Sequence, residues 1–84
     1  MSTVAQPNND LMIRLDEIKH QIDDKNYRMA ARLVDETAQI HGYSPNICGL
    51  GVLTHGMVAH ETGSPEEARR AKQYYQMLAK DNVL

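Results

Sequence analysis

The chain has 84 residues, a formal net charge of -2 and a single cysteine, Cys48. That charge excludes a global attraction to nucleic acid or to an anionic membrane surface, and one cysteine excludes an internal disulfide. With no Trp, no Phe and only 4 Tyr, most of the large side chains that fill small cores are missing. Self-association or a protein partner is therefore the expected route to stability.

Residues 1–9 are polar, contain Pro7 and show no period, so a tail is expected there. They contain no apolar core of the signal-peptide kind. Residues 10–84 are expected to form one helical domain. The unpaired cysteine fits a reducing compartment, and the expected location is cytoplasmic.

The first predicted helix runs from about Asp10, read as its N-cap, to Ile22. Leu11, Leu15, Ile18 and Ile22 share one face, and Ile13 points away from it. Asp23, Asp24, Lys25 and Asn26 favour a turn. No Gly or Pro forces a break there, so one continuous helix through to His41 is the alternative.

The second predicted helix spans about Asn26 to His41. Tyr27, Ala30, Ala31, Val34 and Ala38 line one face, with Met29, Leu33 and Ile40 beside it. So wide an apolar arc implies two neighbours. Gly42 is expected to end the helix in a left-handed cap.

The third predicted helix opens with Ser44 as N-cap and Pro45 at its first position. Ile47, Cys48, Leu50, Val52, Leu53, Met57, Val58 and Ala59 leave almost no polar face, which implies burial all round. Gly49 and Gly56 lie two turns apart on one stripe, a seam against which another backbone can press. Each interior glycine, Gly51 included, costs about 1 kcal/mol relative to Ala, so close packing must compensate. Gly63 ends this helix in a left-handed cap.

The fourth predicted helix starts with Ser64-Pro65-Glu66-Glu67, a capping box. Its expected buried stripe is Ala68, Ala71, Tyr75 and Leu78, with Tyr74 at the margin. Lys80, Asp81 and Asn82 close it. No period-two run or hairpin signal appears. The predicted fold is all-α, a small bundle of three to four helices built as two helical hairpins.

No catalytic constellation emerges, and no metal or cofactor is expected. His55 and His60 are five apart on poorly aligned faces. His60-Glu61 begins a His-Glu-x-x-His pattern, but Ser64 stands where the second His is required. Cys48 has Ile47, Gly49 and Leu50 around it and no base, which marks it as a small core residue. The glycines do not follow a strand and form no phosphate loop.

Two phrases, Lys25-Asn26-Tyr27-Arg28-Met29-Ala30 and Gly63-Ser64-Pro65-Glu66-Glu67-Ala68, each open the second helix of a hairpin. They resemble the stretch of tetratricopeptide repeats that leads into the second helix. Gly56 falls where that family places a small residue in the first helix. The resemblance implies protein or peptide binding between helices, and it transfers no catalytic residue.

The expected function is that of a non-enzymatic protein–protein interaction module, such as an adaptor, a chaperone-like protein or an inhibitor. It would dock on a partner or on itself through Ile13, Met29, Leu33, Ile40, Gly49 and Gly56. The alternative is a nucleic-acid-associated regulator using two basic edges, Lys25, Arg28 and Arg32 on one helix and Arg69, Arg70 and Lys72 on another. Asp35, Glu36, Glu66 and Glu67 neutralise much of both edges.

Overall fold

The structure is a computed structural model that describes residues 7–81. Four helices follow one another: α1 (Pro7–Asp23), α2 (Tyr27–His41), α3 (Pro45–Thr62) and α4 (Pro65–Asp81). Among the described residues there is no strand. α1 packs on α2, α2 on α3, and α3 on α4. This stepwise packing gives a flat body of 48 × 35 × 17 Å, two helical hairpins laid side by side.

The predicted tail is partly corrected. Residues 7–9 belong to α1, and residues 1–6 lie outside the described residues. Asp10 is inside the helix rather than at its cap. Its carboxylate accepts from Arg14 Nε at 2.8 Å and lies 2.7 Å from His41 Nε2, tying the start of α1 to the end of α2.

α1 and α2 are separate. Lys25 adopts φ 62°, its N–H donates to the Ile22 carbonyl, and the Asn26 N–H donates to that of Gln21. These bonds close α1 with a Schellman motif whose left-handed residue is a lysine instead of the usual glycine. Gly42 ends α2 at φ 95° and ψ 175°, a positive-φ conformation other than the expected left-handed cap. Gly63 has the expected left-handed geometry, and Ser44 caps α3 by accepting from the Ile47 N–H. The Ser64 box is half formed. Ser64 Oγ accepts the Glu67 N–H at 3.3 Å, but the Glu67 carboxylate turns to α3.

The core is built from Ile18 of α1, Ala30, Val34 and Ala38 of α2, Ile47 and Cys48 of α3, and Tyr74 of α4. Leu11, Leu15 and Ile22 pack against it, as their spacing implies. Leu33, expected as a spare docking position, also packs there. In α4, Tyr74 is 4 % exposed and Tyr75 is 59 % exposed, which reverses the expected roles. Ala68 is exposed as well. Adjacent helical positions differ by about 100°, so one step in register exchanges the inner and outer ring.

The expectation that α3 is shielded all round fails. Ile47, Cys48, Gly51, Thr54, His55 and Val58 are buried, whereas Leu53 is 46 % exposed. The glycine seam is corrected too. A Cβ added at Gly49 or Gly56 would meet nothing within 4 Å. The close approach occurs at Gly51, over which the Tyr74 ring lies. The seven-residue spacing located a helix face, but the face that needs a glycine lies on the other side of α3.

Candidate functional site

His55 faces inward from the middle of α3, beside the buried Thr54, and is 3 % exposed. A buried imidazole needs partners for both ring nitrogens. Nδ1 lies 2.6 Å from Glu67 Oε1 on α4, and Nε2 lies 2.9 Å from Asp35 Oδ1 on α2. With a carboxylate at each nitrogen, both nitrogens donate and the ring is an imidazolium.

Other groups brace the ring. Tyr74 stacks on it, with centroids 5.6 Å apart and 21° between planes. The Tyr74 hydroxyl donates to Asp35 Oδ1 at 2.6 Å, and Arg70 Nη1 donates to Asp35 Oδ2 at 3.3 Å. Three helices thus meet in one polar network, directly above the ring that covers Gly51.

The electrostatics follow from this geometry. Burial opposes a charge on His55, but the hydrogen bonds to Asp35 and Glu67 and their negative charges outweigh it, so its pKa rises above 6.5. Burial likewise opposes the Asp35 carboxylate, yet the bonds from His55 and Tyr74 and the charges of His55 and Arg70 hold its pKa below 3.8. Burial and the neighbouring Asp35 push the Tyr74 hydroxyl well above 10.0.

Asp35, His55 and Glu67 of this network form the floor of a cleft of about 610 Å³ between α2 and the α3–α4 turn. Arg28 and Arg32 of α2 stand on one wall, with Met29, Ala31 and Val58 supplying apolar surface. A second cleft of about 380 Å³ lies between α1 and the start of α3, lined by Leu15, Lys19, Pro45 and Gly49 among others.

The sequence-derived positions scatter over these surfaces. Ile13 is 68 % exposed and Ile40 56 % exposed. Met29 borders the large cleft and Gly49 the small one, while Gly56 faces open space. The two basic edges are divided. Arg28 and Arg32 line the large cleft, and Lys25 occupies the preceding turn. Arg70 is turned to Asp35, Arg69 borders a shallow depression with Glu66, and Lys72 is exposed.

Both ring nitrogens of His55 are engaged, so it offers no lone pair to a metal or to a proton in transit. Among the described residues, no group of three His, Cys, Asp or Glu side chains could hold a metal ion. Cys48 is buried, its Sγ 3.6 Å from the Tyr43 carbonyl. No described helix is long and apolar enough to cross a membrane.

The His55–Asp35–Glu67 network was missed by sequence reasoning, which weighed His55 only as a metal ligand beside His60. The available signal was a titratable side chain in the middle of an apolar helix, which requires a buried counter-charge. No family model, no curated protein and no solved structure matches this chain.

Proposed function

We propose that this chain is a non-enzymatic protein–protein interaction module that docks a helical surface on a partner or on a second copy. The observation that carries this reading is the placement of large apolar side chains outside a body only 17 Å thick. Ile13 on α1, Ile40 on α2 and Leu53 on α3 stay exposed after the helices have packed. Single exposed apolar residues are ordinary on a protein surface. Several of them on a thin layer of helices, with an open glycine face on α3, offer area for a further helix. Helical hairpins can bind peptides between their helices, and the tetratricopeptide-like phrases of the sequence support this reading.

Site-directed photo-crosslinking in the native cell tests the reading. A benzophenone side chain replaces Ile13, Ile40 or Leu53 in turn, with exposed Lys72 as the comparison position. Discrete adducts at one or more apolar positions, and none at Lys72, are the expected result. Absence of discrete adducts at all three apolar positions would remove the reading.

A further inference from the structure

The cleft between α2 and the α3–α4 turn combines three features that point to one class of occupant. The floor is electrically balanced. Asp35 and Glu67 are matched by His55 and Arg70, so no negative charge is left over there. The wall is not balanced. Arg28 and Arg32, one turn apart, line the cleft, and neither has an ion-pair partner among the described residues. The end of α2 that opens on the cleft is incomplete. Asn26 sits at its N-cap without a side-chain cap bond, and the first turn carries no acidic residue. The first N–H groups of a helix are orphan donors with partial positive charge. The site therefore presents net positive charge on a chain whose overall charge is -2.

We propose that this cleft binds an acidic peptide segment of a protein partner, a carboxylate lying between the Arg28 and Arg32 guanidiniums and the α2 N-terminus. The choice of a peptide rests on the interaction-module reading above. Guanidinium groups bind carboxylates through paired, directional hydrogen bonds. Met29, Ala31 and Val58 supply the apolar surface that an aliphatic side chain next to the carboxylate would cover. A polyanion fits worse. Two arginines give short purchase on a phosphate chain.

The test is a titration of the ¹⁵N-labelled full chain with acetyl-Glu-Leu-Glu-Glu-amide, followed by NMR. Saturable shifts are expected at the Tyr27, Arg28 and Met29 amides and at the Arg28 and Arg32 side chains. Arg28→Ala with Arg32→Ala is expected to weaken binding about tenfold or more, with an unchanged melting temperature. Both side chains are exposed, so the variant folds. Equal binding of acetyl-Lys-Leu-Lys-Lys-amide, shifts located elsewhere, or no shifts would overturn the proposal. So would inorganic phosphate that binds as well as the peptide, which would make this a small-anion site. A uridine oligonucleotide that binds more tightly would assign the cleft to nucleic acid and overturn it as well. Crosslinks at Ile13, Ile40 or Leu53 without peptide binding would sink this proposal alone. Peptide binding without crosslinks would leave the cleft standing and remove the apolar docking surface.

Discussion

Tyr74 lies across Gly51. A Cβ on Gly51 would stand 2.7 Å from Tyr74 Cδ1 and closer still to Cγ and Cδ2. The ring cannot swing aside freely, because its hydroxyl donates to Asp35 and its face stacks on His55. Gly51→Ala is therefore expected to destabilise the fold by about 1–3 kcal/mol. Gly49→Ala and Gly56→Ala point into open space and relieve a helix-interior glycine, so each is expected to stabilise by about 0.5–1 kcal/mol. Urea unfolding of the three variants checks the order. Equal effects at the three positions would contradict the packing described.

The two adjacent tyrosines have opposite weights. Tyr74→Phe keeps the ring over Gly51 but strips a donor from Asp35, at an expected cost of about 1–2 kcal/mol. Tyr75→Ala, at an exposed position, is expected to stay within about 0.5 kcal/mol of the parent. Thermal melts of both variants decide the matter.

Lys25 holds a left-handed conformation at φ 62°. A residue with a Cβ pays about 1–2 kcal/mol for that geometry, and glycine avoids it at some cost in chain entropy. Lys25→Gly is therefore expected to raise stability by up to about 1 kcal/mol. A lower melting temperature would show that the α1–α2 turn is held some other way.

Stability is expected to depend on pH through His55. Its folded-state pKa lies above the ordinary 6.5, so the folded protein binds the proton more tightly than the unfolded chain. The resulting stabilisation is complete below 6.5 and disappears as pH rises through the folded-state value. Asp35 acts at the other end. Its lowered pKa gives stability that is present above 3.8 and lost as pH falls through the folded-state value. Denaturation across pH 5–9 is expected to show falling stability on the alkaline side. In His55→Gln that slope is expected to vanish. The same variant is expected to lose about 2–4 kcal/mol near neutral pH, because Glu67 then has no cation beside it and Asp35 keeps only Arg70.

Local signals located the helices well. Ser44-Pro45 and Ser64-Pro65 mark the starts of α3 and α4, Gly63 ends α3, and the Leu11–Ile22 stripe names the inner face of α1. Each of these is decided within a few residues of chain. The α1–α2 break was ambiguous because a lysine does the work of a glycine at position 25. The site was hidden for a different reason. His55 meets Asp35 across 20 positions and Glu67 across 12, and those meetings depend on how α2 and α4 are rotated against α3. Periodicity alone did not fix that rotation, as the exchange of Tyr74 with Tyr75 and of Gly51 with Gly49 and Gly56 demonstrates.

The polar network at the centre of the fold requires His55 to be a buried cation held between two carboxylates. Long-range ¹H–¹⁵N NMR of the imidazole ring at pH 7 tests this directly. The expected spectrum has both ring nitrogens protonated, with a titration midpoint above 6.5. A neutral tautomer at pH 7, with a midpoint below 6.5, would contradict it.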